Sequence, residues 1–437
     1  SGSEKAEYCG KCCCMVLLLR EILSAQLKQA ELERVFYEAE LPLVEVLASM
    51  ETHGFRLDKK TLQEIGLSIS EGIEKLTGEI YLLAGEAFNI NSPLQLGNIL
   101  FEKLGLPAGK KTKKGYSTNA EILEKLRPMH PIIEKILEYR TLSKLKSTYI
   151  DGLIPLVGQD GRIHAHFQQT VTATGRISCT EPNLQNIPIR QELGRSLRKA
   201  FTARDEGECL VGADYSQIEL RILAHLSGDE HLILAFNQGE DIHKSTAAKV
   251  FDVPLEQVTP EERSAAKAVN FGVIYGMSSF GLSSEIHVSR KEAERYIEEY
   301  FRRFPGVKHF MEEQVENCKK QGFLLTIMGR RRYINEIHAS SYSVRQLGER
   351  LAMNSPIQGS AADIIKLAMI SVYRRLRKEN IPARLILQVH DELILETPKE
   401  ERERVAALLA SCMENVMPMK VKLSVGVSSG ENWYQLK

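Results

Sequence analysis

The sequence has no long apolar run, no excess of either charge and no internal repeat. No hydrophobic stretch in its 437 residues reaches the roughly 18 residues that a membrane-spanning helix needs, so we expect no membrane association. Because 57 Lys and Arg balance 57 Asp and Glu, the total charge gives no indication of a polyanionic partner. The composition, 43% hydrophobic and 26% charged, is typical of a globular protein of two or three domains.

Paired cysteine motifs are also scarce. Isolated cysteines such as Cys179, Cys318 and Cys412 suit a reducing compartment. The string "CGKC" at residues 9–12 has the spacing of a zinc site, but no second C-x2-C pair accompanies it. Two interpretations of the cysteine cluster at residues 9–14 stay open, namely part of a metal site or a frayed N-terminal segment.

Charge is unevenly distributed along the chain. Residues 1–100 carry 9 Lys and Arg against 15 Asp and Glu, whereas residues 101–150 carry 11 against 5. The basic part includes "LSKLKSTY" and "KKTKKG", the latter in a Gly- and Lys-rich segment at 109–115 that is typical of a mobile loop. A phosphate backbone requires such a basic zone, although a solvated surface loop explains "KKTKKG" equally well.

Hydrophobic periodicity predicts mostly helices at residues 17–150 and a mixture of helices and strands afterwards. "LPLVEVLASMETHG" has apolar residues at helical spacing, and "SPLQLGNILFEKLGLP" opens on the N-cap candidate Ser92 followed by Pro93. Strands are indicated by "GRIHAHFQQT", "ECLVGADY", "RLILQV", "LILET" and "KVKLSVGV". Helices are indicated at 228–352, in "SAADIIKLAMISVYRRLRKE" and in "KEERERVAALLASCMENV". This order favours an α+β fold, in which one sheet carries helical insertions.

Acidic residues stand at the ends of two predicted strands. The hairpin "RLILQVHDELILE" predicts a tip at which His390, Asp391 and Glu392 lie beside water, and a solvated turn would explain that tip by itself. Asp214 follows the strand in "ECLVGADY", before a helix expected from Ser216. Aspartates on adjacent strands repel each other unless a cation binds between them. Two Mg²⁺ ions about 3.5–4 Å apart would resolve that repulsion and could serve a displacement at phosphorus.

A cationic and aromatic series lies in "RSAAKAVNFGVIYG". Arg263, Lys267, Phe271 and Tyr275 recur at four-residue steps, which place them on one slowly turning stripe of an α-helix. Such a stripe can bind a nucleoside triphosphate lengthwise, with cations on the phosphates and a ring near the base. In the alternative interpretation the two aromatic residues belong to the core and the two cations face water.

A polar stretch, "TATGRISCTEPNLQNIPIR", contains Arg176, Asn183, Gln185, Asn186 and Arg190. Amides and arginines of this kind can read a duplex minor groove. A surface loop whose side chains cap its own backbone is the alternative, since Asn and Pro are typical of loops.

These segments closely resemble the family A DNA polymerases. The matching strings, in family order, are "TATGRIS…PNLQNIPIR", "DYSQIELRILAHLS", "DIHKSTAAKVF", "RSAAKAVNFGVIYGMS", "MNSPIQGSAADIIK" and "QVHDELILE", and the resemblance extends from about residue 35 to the C-terminus. It implies a right-hand α+β architecture with a helical thumb, an antiparallel-sheet palm and helical fingers. The implied segments are an N-terminal remnant or linker helix at 1–35, thumb 36–155, palm 156–227, fingers 228–352 and palm 353–437.

The resemblance also implies roles for individual residues. Asp214 and Asp391 would bind the metals, and the catalytic residues would be these two aspartates, the nearby and less central acid Glu392, and Lys267. The residues implied to bind the dNTP are Arg263, Lys267, Phe271, Tyr275, His243, Gln217 and Glu219, the last as a steric gate against a ribose 2′-hydroxyl. The residues implied to bind DNA are Lys144, Ser147, Thr148, Arg176, Asn183, Gln185, Asn186, Asn354, Gln358 and His390.

The implied activity is template-directed DNA synthesis from dNTPs on a primer, with release of pyrophosphate, in replication or repair. Its cofactor would be two Mg²⁺ ions, replaceable by Mn²⁺, and its partners primer-template DNA and dNTP, with the protein a cytoplasmic, nucleoid-associated monomer of bacterial or organellar origin. With only about 35 residues before the predicted thumb, we expect neither proofreading nor primer removal.

Three alternatives stay open at this point. Glu219 argues against a single-subunit RNA polymerase, and the intact acidic and basic residues argue against an inactive DNA-binding scaffold. A metal phosphohydrolase built on His390 and Asp391 would need further His ligands on helices, whereas this pair lies at a predicted hairpin tip.

Overall fold

The computed structural model describes residues 2–108, 115–189 and 192–436, and most of them lie in helices. The helices are α1 (Gly2–Gln29), α2 (Leu41–His53), α3 (Lys59–Ala84), α4 (Pro93–Gly97), α5 (Ala120–Leu126), α6 (Pro131–Leu145), α7 (Glu192–Ser196), α8 (Ile218–Ser227), α9 (Glu230–Asn237), α10 (Ile242–Val250), α11 (Pro260–Ile274), α12 (Ser279–Ile286), α13 (Arg290–Arg303), α14 (Pro305–Gln321), α15 (Tyr342–Lys378) and α16 (Arg402–Glu414). The strands are β1 (Phe55–Leu57), β2 (Arg162–Ile163), β3 (His166–Gln168), β4 (Ser178–Thr180), β5 (Phe201–Thr202), β6 (Glu208–Tyr215), β7 (Phe323–Leu325), β8 (Arg331–Tyr333), β9 (Arg384–Val389), β10 (Glu392–Pro398) and β11 (Val425–Gly430).

The chain divides into two compact units. The first unit comprises Ser1–His53, Phe167–Thr180 and Val211–Ser429, and the second comprises Gly54–His166, Glu181–Leu210 and Gly430–Lys437. The thumb, palm and fingers boundaries stay predictions. The predicted loop at 109–115, except Gly115, and Arg190 of the polar stretch lie outside the described residues.

A four-stranded sheet in the order β11-β6-β10-β9 forms the centre of the first unit. The hairpin β9–β10 pairs in antiparallel register, with Glu392 opposite Val389 and Ile394 opposite Leu387. Leu393, Ile394 and Leu395 are all fully buried, so this strand is covered on both faces. That double coverage explains the continuous apolar runs in its sequence.

The 37-residue helix α15 packs against α2, α8, α14 and α16 in the first unit. It runs through Pro356, where a ring without an N–H normally interrupts a helix. The residues around Pro356 are buried, among them Asn354, Ser355 and Ile357. Burial of the apolar side chains on the same helix, such as Ile357 and Ile364, offsets the lost backbone hydrogen bond.

Four charged side chains form a buried cluster beside α15. The Lys366 ammonium lies 2.7 Å from the Glu40 carboxylate, and the Arg330 guanidinium lies 2.8 Å from Asp363 and also contacts Glu40. Lys366 and Asp363 are fully buried, so each depends on its partners rather than on water to stabilise its charge. This buried charge cluster connects the segment before α2, the β7–β8 hairpin and α15.

In the second unit, α3 packs against α6, and the Lys135 ammonium lies 2.7 Å from the Glu79 carboxylate. A three-stranded sheet in the order β2-β1-β5 lies beside an aromatic group of Phe55, Phe201 and the fully buried Trp433. The Arg198 guanidinium stacks 4.0 Å from the centre of the Trp433 ring. Cation–π contact therefore stabilises this corner in addition to apolar burial.

Most predicted elements are confirmed, with four corrections. The region 228–352, predicted as helices, also contains the antiparallel hairpin β7–β8. Ser92 caps α4, and β6 matches "ECLVGADY". The strand predicted in "KVKLSVGV" instead occupies Val425–Gly430, and "GRIHAHFQQT" contains two short strands, β2 and β3. Glu392 is 2% exposed as the first residue of β10, so its predicted position beside water is wrong. Within the described ranges, no helix combines the length and apolarity needed to cross a bilayer.

Candidate active site

Asp214 and Asp391 meet at one end of the central sheet. Asp214 is the penultimate residue of β6, and Asp391 immediately precedes β10, the neighbouring strand. The backbone N–H of Tyr215 donates to the Asp391 carbonyl at 3.2 Å, so the end of β6 adjoins the start of β10. Both aspartates are half-buried. The structure thus brings together two carboxylates that are far apart in the sequence.

The donor set at this sheet end fits Mg²⁺ with two carboxylates rather than an all-protein cage. In the described part of the chain, no group of three or more His, Cys, Asp or Glu side chains is arranged to bind a metal ion. Mg²⁺ is commonly held by one or two carboxylates, and water and substrate phosphates complete its coordination. The four cysteines of the 9–14 cluster are exposed on α1 and form no such group.

The turn between β9 and β10 has an exposed residue, His390, in an unusual backbone conformation. His390 is exposed and has a φ of 54°, which L-residues rarely adopt. The Gln388 side chain donates to the His390 carbonyl at 2.7 Å. On β6's side, Gln217 also has a positive φ, 55°, where the chain turns from β6 into α8. Two strained residues therefore flank the aspartate pair.

The predicted stripe lies on α11 as the four-residue spacing indicated. Thr259 and Glu262 form a capping box that begins the helix, and Tyr275 ends it. Arg263 and Lys267 are exposed, Phe271 is half-buried and Tyr275 is 41% exposed. Neither aromatic ring is fully buried, so neither lies wholly in the core, while the two cations face water as the alternative interpretation expected. The stripe presents two cations and then two rings.

His243 is more deeply buried than a group that contacts a ligand usually is. It lies on α10, which packs against α11, and is 3% exposed. Burial lowers the pKa of His243 to about 4, and the neighbouring cations of Arg263 and Lys267 act in the same direction. The imidazole is therefore neutral at physiological pH.

Each carboxylate oxygen of Glu219 accepts a hydrogen bond from another predicted site residue. Arg176 donates to its Oε1 at 3.0 Å, and the Tyr275 hydroxyl donates to its Oε2 at 2.9 Å. Burial and the Glu219 charge raise the pKa of Tyr275 to about 12, so its phenol remains a donor. Gln358 also hydrogen-bonds Tyr275, while Asn354 donates to the Ile274 carbonyl at 3.3 Å. The structure thus links four residues predicted from the sequence, namely Arg176, Glu219, Tyr275 and Gln358, while Asn354 binds the backbone of the residue before Tyr275.

The remaining predicted DNA-binding residues lie in the second unit. A groove of about 440 Å³ is lined by Lys144, Thr148, Asn183 and Asn186, among others. Lys144 and Thr148 are exposed, as is Ser147 beside them, and Gln185 is half-buried. Asn183 accepts a hydrogen bond from the Gln185 backbone at 3.1 Å, so the self-capped loop interpretation holds for this side chain. The groove nevertheless combines a cation with polar groups.

Sequence reasoning missed two residues that organise α10 and α11. Asp241 caps α10 and accepts a 2.7 Å hydrogen bond from Arg263. Asn270 is fully buried and contacts His243 and Thr246. Asp241 could have been found as an N-cap before "IHKST". Asn270 could have been found as a polar residue in register with the buried Ala266 and Val273 of the same helix.

The family model of DNA polymerase family A matches residues 59–435 of this chain. The chain belongs to the family A DNA polymerases. It is 51% identical over 424 residues to DNA polymerase I of Lactococcus lactis subsp. lactis (strain IL1403), covering 97% of this chain and 48% of that protein. It is 50% identical over 433 residues to DNA polymerase I of Geobacillus stearothermophilus, covering 99% of this chain and 49% of that protein.

A solved structure of the same family A type is also similar. It is the POL domain of Pol1 from M. smegmatis in complex with DNA primer-template and dNTP, with a TM-score of 0.91 and 43% identity. The alignment covers 97% of this chain and 75% of that one. The family and the α+β fold predicted from the sequence are confirmed. This family A chain spans about half the length of the curated relatives it matches.

Proposed function

We propose that this chain carries out template-directed DNA synthesis, adding dNMP from a dNTP to a primer 3′-hydroxyl with release of pyrophosphate. One observation carries the proposal: the ends of β6 and β10 adjoin, and they bring Asp214 next to Asp391 in a member of this family. The similar Pol1 domain was solved with primer-template and dNTP, which supports the same partners here.

Asp214 and Asp391 would hold two Mg²⁺ ions, or Mn²⁺ in their place, with Glu392 a nearby acid. When bound, such ions lower the pKa of a primer hydroxyl and neutralise charge on the transferring phosphates. Glu392 is buried in β10, so we assign it to shaping the sheet end rather than to direct coordination.

The α11 stripe would bind the dNTP. Arg263 and Lys267 are exposed cations one helical turn apart and would bind the phosphates, stabilising the leaving pyrophosphate. Phe271 and Tyr275 would border the new base pair. His243 and Gln217 would lie near the phosphates. Movement of α11 toward the sheet when a correct pair forms would couple pairing to assembly of the site.

Glu219 would exclude a ribose 2′-hydroxyl by its bulk. Its carboxylate is held in place by Arg176 and Tyr275, so it cannot easily rotate away from an incoming sugar. This restraint favours a DNA polymerase over an RNA polymerase. Arg176, Asn354, Gln358 and His390 would lie along primer and template. In the second unit, Lys144, Ser147, Thr148, Asn183, Gln185 and Asn186 would contact the DNA backbone or minor groove.

Primer extension on a labelled template, with and without Mg²⁺, tests the proposal. Asp391→Ala is expected to abolish extension, because one of two carboxylates is removed, while DNA binding and the circular dichroism spectrum stay unchanged. Glu403→Ala is the matched control, since Glu403 is an exposed acid (91%) in the first turn of α16. Full activity of Asp391→Ala, or equal loss in both variants, would contradict the assignment. A monomeric state and a cytoplasmic, nucleoid-associated location stay predictions.

A further inference from the structure

A buried amide contacts the imidazole of His243. The Asn270 Nδ2 atom lies 3.0 Å from His243 Nδ1, and both side chains are closed off from solvent, at 0% and 3% exposure. Asn270 stands on α11 immediately before Phe271, whose ring centre lies 6.0 Å from that of His243. The contact therefore joins α10 to the helix that carries the predicted triphosphate-binding stripe.

The direction of this hydrogen bond follows from the donor and acceptor chemistry of the two groups. An amide nitrogen can only donate, so the His243 Nδ1 that faces it must accept and carry no proton. The Thr246 hydroxyl donates to Asn270 Oδ1 at 3.2 Å, so the amide oxygen faces the hydroxyl and the amide nitrogen faces the imidazole. A neutral imidazole with an unprotonated Nδ1 carries its proton on Nε2.

We infer that Asn270 is a positioning residue that fixes His243 in the Nε2–H tautomer, with Thr246 holding the Asn270 amide. The neutral Nε2–H of His243 can then donate to a phosphate oxygen, while the Arg263 and Lys267 cations neutralise the charge of the triphosphate. The role toward a triphosphate rests on the proposed function, whereas the tautomer itself does not.

The charged groups around His243 are consistent with a neutral ring. Asp241 favours the protonated form, and Arg263 and Lys267 oppose it. Asp241 is already engaged by Arg263 at 2.7 Å, which reduces its effect on the imidazole. The two cations thus supply positive charge, and His243 supplies a directed hydrogen bond. If His243 Nδ1 also carried a proton, that N–H would face the N–H of the Asn270 amide, and two donors cannot hydrogen-bond each other.

Long-range ¹H–¹⁵N spectra of the full chain with ¹⁵N-labelled histidine test the tautomer directly. The imidazole signals of His243 are assigned by their loss in His243→Gln. We expect the Nε2–H pattern near neutral pH, with no conversion to imidazolium down to about pH 5, since the pKa lies near 4. A His243 that carries its neutral proton on Nδ1 would overturn the inference.

Asn270→Asp changes the donor that faces Nδ1 into an acceptor without changing the shape of the side chain. We expect the proton to move to Nδ1 and the imidazolium to appear near neutral pH. The KM for dNTP is expected to rise about five- to tenfold, as for the loss of one hydrogen bond, and to acquire an inflection between about pH 5 and 8 with kcat changed less. Retention of the Nε2–H signal in this variant would overturn the inference.

Thr246→Val and Thr246→Ser provide a second test, should a buried carboxylate at 270 prevent folding. Valine removes the hydroxyl that holds the amide, so a mixture of the two His243 tautomers is expected. Serine keeps the hydroxyl and is expected to retain the wild-type spectrum. A pure Nε2–H spectrum in Thr246→Val would overturn the role of Thr246.

The two proposals fail separately in these measurements. An Nε2–H signal in a chain that extends no primer under any metal would reject the polymerase activity and uphold the tautomer. An active chain whose His243 carries its proton on Nδ1 would uphold the polymerase activity and reject the tautomer.

Discussion

At the scale of single residues, Glu219 offers a test of how the sugar is selected. Glu219→Ala removes both bulk and charge and is expected to raise ribonucleotide incorporation at least about tenfold relative to deoxyribonucleotides. Glu219→Gln keeps the bulk and can still accept a hydrogen bond from Arg176 or Tyr275, so selectivity is expected to remain. Competition between rNTP and dNTP in single-nucleotide extension measures both variants.

Equal losses of selectivity in the Ala and Gln variants would assign the discrimination to the Glu219 charge rather than to its bulk. Unchanged selectivity in both would remove Glu219 from sugar recognition altogether. Because Arg176 and Tyr275 lose a partner in Glu219→Ala, extension with dNTP alone serves as the reference for each variant.

His243 is expected to make stability depend on pH in a defined window. Its pKa in the folded chain is about 4, below the ordinary value of 6.5, so the unfolded state binds more protons between these values. Folding stability contributed by the neutral ring is present above about pH 6.5 and is lost as pH falls toward 4. Between pH 7 and 5 the wild type is expected to lose about 1–2 kcal/mol more than His243→Gln.

Chemical denaturation of both proteins at several pH values measures this difference. Other titrating groups contribute equally to the two proteins, so only the difference between their pH profiles reports on His243. Parallel profiles across the window would contradict a buried neutral imidazole.

At the scale of elements, the buried charge cluster of Glu40, Arg330, Asp363 and Lys366 is expected to fix α15 to its neighbours. Asp363→Ala leaves the largely buried Arg330 with one carboxylate fewer, and a loss of about 3–5 kcal/mol of stability is expected. The control is Glu45→Ala, because Glu45 also pairs with an arginine, Arg377, but both side chains are 64% exposed. Its loss is expected to stay below about 1 kcal/mol.

Thermal or urea unfolding of the two variants shows whether the cluster is held by its charges or by apolar packing. Similar small losses would mean that the cluster is held by packing of the surrounding apolar residues rather than by its charges. In that case Asp363→Leu would be at least as stable as the wild type, an outcome known for buried ion pairs replaced by apolar groups.

Local signals predicted most elements, and tertiary effects account for the misses. Ser92, the apolar run of β6 and the four-residue series on α11 are local, and each was found where the pattern placed it. The alternation in "KVKLSVGV" predicts a strand that begins before the observed one, because β11, the neighbour of β6, begins only at Val425. The burial of Glu392 and of His243 depends on elements distant in sequence, so no local pattern could indicate it.

At the scale of the whole molecule, the net charge is zero, but Lys and Arg outnumber Asp and Glu at residues 101–150. This segment lies in the second unit, and we expect it to bind DNA. Each Lys that neutralises a phosphate releases about one counterion, so it contributes about one unit to the slope of log K against log salt concentration. Lys144 lies in an exposed position on the groove with Thr148, Asn183 and Asn186. Binding should therefore weaken with salt despite the overall neutrality.

Lys144→Ala is expected to weaken primer-template binding for all sequences alike and to reduce that slope by about one. The control is Lys125→Ala, because Lys125 is also an exposed lysine in the same unit but pairs with Glu121 at 2.7 Å and does not line the groove. Fluorescence anisotropy with a labelled primer-template over a range of salt concentrations measures both slopes. If Lys125→Ala lowers the slope as much as Lys144→Ala, attraction to DNA arises from the general basic surface and not from the groove.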